Sequence, residues 1–394
     1  MQAKFDNIAE YWCLLERGKG DDQMFKWAFL MFGVDISGGT NVIFQIALRL
    51  KKQGISVTFI TEKRVERNQV SWNPIYESFD DHIFWKTYDE VKNEYFDVAI
   101  ATYWKTFYSL YRVNAQAYTY FVQSIESRFY PSEEINLRNF VDKTYEPQIG
   151  VVTEAKWIKE YLANHYNHDA EYVRNGINKE YFNNNGISLK KRNQGKLRVL
   201  IEGPVNIAFK NVPGAIEACK SAEIEDVWLL TASDVKKYKD VNETFNKLPI
   251  NRVSEIYRSC DVIVKLSYVE GMFGPPLEMF HCGGTAIVYN ITGHDEYIQH
   301  EYNSLVAPVG DQQKVVEYLQ NLKSQPALVE TLKVNALQTA QKWPDWEETV
   351  VLYIKAMENA AKKCQVSQEE LSDFSRYTVD LYERENTHKK GKWD

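Results

Sequence analysis

The chain is poor in cysteine. Five cysteines are spread over 394 residues, and no two of them form a Cys-x-x-Cys pair. An odd and dispersed set argues against a disulfide framework and against a zinc cluster, so we expect a reducing compartment. Three of the five, Cys219, Cys260 and Cys282, lie in apolar stretches, where a free thiol acts as a small core residue.

An excess of positive charge and a long apolar run are also missing. The formal net charge is −7, which provides no general field for nucleic acid, and we expect no nucleic-acid partner. No apolar run approaches the roughly 20 residues that a membrane-spanning helix needs. The first residues carry Asp6, Glu10 and Glu16 without the apolar segment of a signal peptide. We expect a soluble cytoplasmic protein, and a peripheral contact with the inner face of a membrane is compatible with it.

The sequence contains two series of apolar strands that alternate with helical segments. The length suggests two domains. In the first series, a strand over 27–34 leads through Gly38-Gly39 into a helix over 41–53 and a strand over 55–61. The later strands of this series are predicted at 96–101, 118–122, 149–152 and 172–177, with a helix over 154–165.

The second series follows an apolar-poor segment over 183–196, which is the predicted interdomain linker. Its strands are predicted at 197–202, 226–231, 262–266 and 286–289, and its helices near Asn211, Asn251, Pro276, His294 and Asp311. The fold class is therefore α/β, with two Rossmann-like domains that face each other across a cleft. The predicted divisions are an N-terminal domain over 1–182 with a helical extension within 1–26, the linker over 183–196, a C-terminal domain over 197–345, a helix over 346–361 that returns to the N-terminal domain, and a polar tail over 362–394.

The stretch 267–284 is the first candidate for a site. Glu270 and Glu278 bracket a Gly-Met-Phe-Gly-Pro-Pro turn with seven residues between them. Two carboxylates at this distance could be the acid and nucleophile of a glycosidase, could each bind sugar hydroxyls, or could be surface charge that came together by chance. The turn favours a site, because an exposed pair of charges needs no such backbone.

Two further features accompany these carboxylates. Gly38-Gly39 between a strand and a helix lets the backbone approach an anion closely, although a tight turn without a ligand would also use glycine. It is not a GxGxxG fingerprint, so a nicotinamide dinucleotide is not indicated. Lys210 comes just before a predicted helix, where it could reach a diphosphate or could lie in solvent.

The segment Glu270-Gly-Met-Phe-Gly-Pro-Pro-Leu-Glu278 resembles the Glu-x7-Glu signature of retaining GT-B glycosyltransferases of the glycosyltransferase 4 family. Asp35-Ile-Ser-Gly-Gly39 resembles the N-terminal glycine loop of that family, and Arg174-Asn-Gly-Ile-Asn178 resembles its interdomain turn. Gly293-His-Asp-Glu-Tyr-Ile298 is similar to a segment that follows the signature. The resemblance extends over roughly residues 27–360.

The resemblance implies a role for each matching residue. Glu278 would bind the ribose of a nucleotide, Glu270 the sugar hydroxyls, and Lys210 the diphosphate, with transfer by front-face attack and without a metal, since no Asp-x-Asp motif is present. The implied donor-binding residues are Gly38, Gly39, Lys210, Glu270, Met272, Phe273, Gly274, Pro275 and Glu278. The implied catalytic residues are Glu270, Lys210 and Gln123, the implied acceptor residues are Glu126 and Arg128, and no metal or cofactor is expected.

The chain departs from the family pattern at three places. Gly203-Pro-Val-Asn206 stands where an arginine usually precedes the lysine, Gln123 stands where many members have histidine, and the glycine turn is shifted by one residue. The implied activity is retaining transfer of a hexose or a 6-deoxyhexose such as rhamnose from a UDP- or dTDP-sugar. The acceptor would be a glycan or a lipid-linked glycan in polysaccharide biosynthesis. The alternatives are a sugar phosphorylase or nucleotide-sugar epimerase of the same architecture, and a non-catalytic partner subunit.

Overall fold

The computed structural model describes residues 24–73, 77, 83–192 and 195–386. The helical extension expected within 1–26 falls almost entirely outside these ranges. Of its last three residues, 24 precedes the first strand and 25–26 belong to that strand, which begins at Phe25.

The N-terminal domain has, within the described residues, a parallel sheet of seven strands in the order β3-β2-β1-β4-β5-β6-β7. Both faces of the central strands are covered, which is why they read as nearly continuous apolar runs. The strands are β1 (Phe25–Leu30), β2 (Ile55–Thr61), β3 (Ile83–Thr87), β4 (Tyr95–Ala101), β5 (Asn114–Val122), β6 (Gly150–Thr153) and β7 (Glu171–Tyr172). The α-helices are Gly38–Lys52, Arg67–Val70, Trp104–Phe107, Ile135–Asp142 and Lys156–Tyr166.

The C-terminal domain has a parallel sheet of six described strands in the order β10-β9-β8-β11-β12-β13. The strands are β8 (Arg198–Glu202), β9 (Asp226–Thr231), β10 (Glu243–Asn246), β11 (Val262–Lys265), β12 (Thr285–Tyr289) and β13 (Ser304–Ala307). The α-helices around it are Val212–Ser221, Ile250–Ser259, Gly274–His281, Gln312–Ser324 and Pro326–Gln341.

Each sheet reverses its strand order once, between β1 and β4 and between β8 and β11. In open α/β sheets, ligands bind in the crevice at the carboxyl ends of the strands beside such a reversal. The two parallel sheets confirm the predicted α/β class with two Rossmann-like domains.

The helix Trp346–Lys363 follows the second domain and packs on the sheet of the first. The ring of Tyr353 meets that of Phe121 on β5 edge to face, with 5.3 Å between the ring centroids. A Cβ at Gly150 on β6 would lie 2.0 Å from the carbonyl oxygen of Ala360. Only glycine therefore allows this helix to approach β6 so closely.

The polar tail predicted over 362–394 contains a long helix, and residues 387–394 lie outside the described ranges. Residues Gln368–Glu385 form a helix that starts with a capping box at Ser367. Leu371 is fully buried, and Tyr382 stacks on Phe140 with 4.5 Å between the ring centroids. The apolar side chains recur at helical spacing, but the many charged residues between them hide the pattern in the composition.

Other differences concern short elements at sheet edges. β3, β10 and β13 were not predicted, and β10, with the sequence Glu-Thr-Phe-Asn, lacks the apolar run that marks a buried strand. The strand expected over 172–177 is limited to Glu171–Tyr172, and the helix expected near His294 is a single 3-10 turn, His294–Glu296. Among the described helices, none combines the length and the apolar character required to cross a membrane.

Candidate active site

A buried ion pair joins the ends of β8 and β11. The register of these neighbouring strands pairs Val264 with Ile201, so the next residues, Lys265 and Glu202, lie side by side where the strands end. Lys265 is only 2% exposed, and its Nζ lies 2.5 Å from Oε2 of Glu202. A lysine this deeply buried requires such a partner, because desolvation strongly disfavours an unpaired charge.

Glu270 lies in the loop after β11 and continues this ion pair. Lys210, from the 3-10 turn Ala208–Lys210, places its Nζ 2.8 Å from both carboxylate oxygens of Glu270. Nζ of Lys265 lies 3.6 Å from Oε1 of the same carboxylate. Glu202, Lys265, Glu270 and Lys210 thus form a row of alternating charge, which we call the charge cluster.

The charge cluster controls the ionisation of Glu270. Burial by itself would raise the pKa of this carboxyl group, but the ammonium groups of Lys210 and Lys265 outweigh burial and hold the pKa below its usual value. Glu270 is therefore ionised at neutral pH. An ionised carboxylate only accepts hydrogen bonds, which suits it to bind hydroxyl groups.

Glu278 behaves in the opposite way. It lies on the helix Gly274–His281, which two prolines start. Burial, together with the nearby negative charge of Glu202, raises its pKa to about 7, while a hydrogen bond from the hydroxyl group of Tyr257 works against this rise. The pKa values of the two glutamates of the 267–284 stretch are therefore shifted in opposite directions, since only Glu270 has two ammonium groups beside it.

The turn between these glutamates is held by the N-terminal domain. The backbone N–H of Met272 donates to Oε1 of Glu154 at 3.2 Å, and the carbonyl oxygen of Gly271 accepts from Nε1 of Trp157 at 3.1 Å. A Cβ at Gly271 would lie 1.8 Å from the carbonyl oxygen of Gln123. These contacts close the cleft around the turn and explain why glycine stands at position 271.

Gln123 connects this turn to the glycine loop of the first domain. It directly follows β5, and its side-chain Oε1 would lie 3.2 Å from a Cβ at Gly39. This oxygen is buried, and within the described residues it has no hydrogen-bond partner. A buried acceptor without a partner is a sign of a ligand or water site. The structure thus brings Gly39, Gln123 and the 271–272 turn together.

Several backbone groups expected to bind the donor are already engaged. The N–H of Met272 goes to Glu154, and that of Gly274 donates to the carbonyl oxygen of Met272 at 3.0 Å. Pro275 has no N–H, and the ring of Phe273 is fully buried in the core of the domain. These residues therefore shape the turn itself.

The two predicted acceptor residues occupy different surroundings. Glu126 is 3% exposed, and one of its oxygens accepts from the backbone N–H of Trp104 at 2.7 Å and from the hydroxyl group of Tyr120 at 2.8 Å. Burial raises its pKa to about 8. The guanidinium group of Arg128 lies 4.9 Å from the ring centroid of Trp157, and its Nη1 donates to Oγ1 of Thr292 in the C-terminal domain at 3.4 Å. Arg128 thus lies at the interdomain contact, while Glu126 stays inside the first domain.

The sequence analysis missed four residues of the site, namely Glu154, Glu202, Tyr257 and Lys265. A signal was present for three of them, because Glu202 and Lys265 end buried strands and Glu154 follows one. A charged residue in this position of a parallel sheet points to the ligand-binding edge. In the part of the chain that the structure describes, no group of three or more His, Cys, Asp or Glu side chains is placed to hold a metal ion.

Comparison with known proteins defines the class of the molecule. Residues 208–339 match the model of the family described as "Glycosyl transferases group 1". This segment contains Lys210, Glu270 and Glu278. A search of curated protein sequences finds no match.

Solved structures match nearly the whole chain. HepE from Anabaena, in complex with UDP and glucose, has a TM-score of 0.65 at 12% identity over 86% of this chain and 100% of its own. Sucrose-phosphate synthase from Thermosynechococcus elongatus has a TM-score of 0.66 at 16% identity over 85% of this chain and 98% of its own. WaaG, a glycosyltransferase involved in lipopolysaccharide biosynthesis, has a TM-score of 0.63 at 14% identity over 86% of this chain and 100% of its own.

These matches confirm the GT-B fold. With the matched domain, they define the molecule as an enzyme of the glycosyltransferase class.

Proposed function

We propose that this chain is a retaining, metal-independent glycosyltransferase. It moves a hexose, or a 6-deoxyhexose such as rhamnose, from a UDP- or dTDP-sugar to a glycan or lipid-linked glycan. Its place is polysaccharide biosynthesis in the cytoplasm, with a peripheral contact at the inner face of the membrane. Retention rests on the resemblance of the 270–278 segment to the glycosyltransferase 4 signature.

One observation carries this proposal. The charge cluster leads through Glu270 to the adjoining Gly271, which lies against Gln123 of the N-terminal domain, and the side chain of Gln123 lies beside Gly39. One side of this cleft offers ammonium and carboxylate groups, and the other offers a glycine loop and a buried amide oxygen. This arrangement suits a ligand that carries a diphosphate and several hydroxyl groups.

The division of work follows from charge. The ammonium group of Lys210 neutralises the diphosphate, so that the nucleotide can leave without a metal ion. Glu278 accepts hydrogen bonds from the ribose hydroxyls, and Glu270 accepts them from the transferred sugar. The amide oxygen of Gln123 accepts a hydrogen bond from a hydroxyl group at the point where the sugar donor and the glycan acceptor meet.

The contacts of the first domain with the 271–272 turn keep water away from the reacting centre. Glu154 and Trp157 bind the 271–272 turn directly, so the first domain covers the sugar pocket. A covered site favours attack by an acceptor hydroxyl over attack by water, which would waste the donor.

An aromatic surface on the first domain suits a glycan acceptor. Phe32 follows β1 and is 58% exposed, and its ring packs at 5.4 Å from that of Tyr103, which follows β4. Nζ of Lys105 lies 4.4 Å from the Phe32 centroid. Exposed ring faces at the carboxyl edge of the sheet can stack on sugar rings, and the lysine can pair with an anionic group of a glycan or a lipid-linked glycan.

The first test is binding. A thermal-shift screen of UDP- and dTDP-sugars should raise the melting temperature for one base and one sugar in preference to the others, because a ligand that binds only the folded state stabilises it. Failure of every nucleotide and nucleotide sugar to bind at millimolar concentration would contradict the proposal.

The second test is turnover with the donor so identified. We expect Glu278→Ala and Lys210→Ala each to lower turnover at least about tenfold, which corresponds to about 1.4 kcal/mol of activation free energy. Lys220→Ala is the matched control, since Lys220 is an exposed lysine of the same domain that pairs with Asp240. Normal turnover in both site variants would refute the assignment.

A further inference from the structure

We propose that Lys265 is a positioning residue that keeps Glu270 ionised while a diphosphate occupies Lys210. The inference rests on the proposed function, because it requires that Lys210 bind the diphosphate and Glu270 the sugar. It assigns a task to a buried lysine that the nucleotide itself does not contact.

Lys265 cannot reach the donor directly. It is 2% exposed, and its Nζ contacts the carboxylate of Glu202 at 2.5 Å and the backbone carbonyl oxygen of Glu202 at 3.4 Å. Its remaining direction leads to Oε1 of Glu270 at 3.6 Å. Lys265 therefore acts on a ligand through carboxylates of the site, by direct approach to Glu270 and by its charge on Glu278.

Lys210 has the opposite properties. It is more exposed, with 21% of its side chain accessible, and it gives two of its three N–H donors to Glu270. A diphosphate carries two negative charges and competes for the same ammonium group. When Lys210 turns to the phosphates, Glu270 loses its closest cation.

A buried carboxylate that loses its cation takes up a proton unless another charge remains beside it. Glu270 is only 8% exposed, so solvent replaces little of what Lys210 supplied. Lys265 remains, because it is buried beside Glu270 and cannot reach the phosphates. A carboxylate that stays ionised keeps all its acceptor sites for sugar hydroxyls, whereas a protonated one becomes a donor at one oxygen.

The position of Lys265 also fits the departure of this chain from the family pattern. The loop after β8 begins with Gly203-Pro-Val-Asn206, a segment in which the family usually has an arginine. A Cβ at Gly203 would lie 3.9 Å from Nζ of Lys265. The strand beside β8 thus supplies a cation next to a loop that lacks one. This cation is buried below the site instead of reaching into it.

Proton uptake on nucleotide binding tests the inference. UDP binding is measured by calorimetry at pH 8 in buffers that differ in ionisation enthalpy, because the dependence on buffer gives the number of protons taken up. The comparison is between Glu202→Gln and the double variant Glu202→Gln with Lys265→Met. The double variant replaces both charges of the buried pair, so neither partner is left as an unpaired buried charge.

The expected results differ clearly between the two variants. With Glu202→Gln alone, Lys265 still faces Glu270. The double variant lacks Lys265, and it should therefore take up additional protons, approaching about one per UDP bound. The same shift should appear as a tighter affinity at lower pH in the double variant only. The titratable groups that face Glu270 include Lys210, Lys265, Glu154 and Tyr297. Lys265 also lowers the pKa of Glu278, so its removal leaves Glu278 more protonated in the free protein. Binding of ribose would then release protons from Glu278, which is opposite in sign to the uptake expected at Glu270.

The outcomes separate this inference from the proposed function. Equal proton uptake in the two variants, with UDP bound by both, overturns the role of Lys265 and leaves the proposed function intact. Absence of binding of both UDP and dTDP to the unaltered protein refutes the proposed function itself, and dTDP replaces UDP in the comparison if only dTDP binds. Lys333→Met is the control for loss of a mostly buried lysine, since its Nζ lies 3.4 Å from Asp261 in the same domain, and it should leave the proton uptake unchanged.

Discussion

The affinity for a nucleotide sugar should fall as the pH drops through neutrality, because of Glu278. Burial and the charge of Glu202 raise the pKa of Glu278 to about 7. Under the proposed function, only the ionised carboxylate of Glu278 accepts hydrogen bonds from both ribose hydroxyl groups well. UDP-glucose is a suitable probe, since it has no group of its own that titrates near neutral pH.

The size of the effect follows from this pKa. A group with a pKa near 7 is about nine-tenths ionised at pH 8 and about one-tenth ionised at pH 6. If the ionised form alone binds, the dissociation constant rises about tenfold between these pH values, or about 1.4 kcal/mol. The dissociation constant should rise, not fall, toward low pH, because protonation of Glu278 removes a hydrogen-bond acceptor.

The measurement is the dissociation constant of UDP-glucose by calorimetry from pH 6 to pH 8.5, or of dTDP-glucose if the screen selects that base. Glu202→Gln removes a negative neighbour and should move the midpoint to lower pH. Tyr257→Phe removes the hydrogen bond that stabilises the carboxylate and should move the midpoint to higher pH. These opposite shifts separate an effect on Glu278 from general damage to the site.

Glu278→Gln serves as the decisive control. It should bind more weakly at pH 8 and lose the pH dependence. Burial also raises the pKa of Glu154 to about 7, so a dependence that persists unchanged in Glu278→Gln would assign the titration to another group. A constant affinity from pH 6 to pH 8 in the unaltered protein would refute the reasoning.

Two further predictions concern Glu126 and the turn. Because the folded state raises the pKa of Glu126 to about 8, the folded protein binds more protons than the unfolded one between about pH 4.5 and 8, and stability declines as the pH rises through this window. Glu126→Gln should thus raise the unfolding free energy at pH 8.5 by on the order of 5 kcal/mol, with little change at pH 4. Chemical denaturation at both pH values checks this, and a large loss of turnover would instead support the predicted acceptor role. Gly271→Ala should weaken donor binding at least about tenfold, because its Cβ would lie 1.8 Å from the carbonyl oxygen of Gln123. Calorimetry measures the affinity against the control Gly33→Ala, whose Cβ would have its nearest contact at an ordinary 3.6 Å. Equal affinities of the two variants would show that donor binding does not need the close approach of Gly271 to Gln123.

Much of the fold was readable from local patterns. The buried strands of both sheets are apolar runs, and Gly38-Gly39 marks the turn after the first of them. The helix Gln368–Glu385 was missed because its apolar face is narrow and its composition polar. β10 was missed because an edge strand does not need to be apolar.

In the candidate site, too, some residues were predictable from local sequence and others were not. Lys210, Glu270 and Glu278 stand next to glycine and proline turns in the sequence and were predicted as functional residues. Glu126 lies three residues from Gln123 in the chain, yet the 3-10 turn Glu126–Phe129 buries it against Tyr120. Chain proximity to a site did not determine which of the two faces the cleft.

The sequence by itself determined which segments are buried strands, where they end and which residues occupy those ends, because hydrophobic periodicity and turn residues act over short stretches of chain. The tertiary structure alone decided which of these ends meet. Glu202 and Lys265 are 63 positions apart and become partners only because β11 lies beside β8. Burial and the charges of this pair, together with the ammonium group of Lys210, lower the pKa of Glu270 and raise that of Glu278, since the pKa of a carboxyl group depends on its neighbours in space.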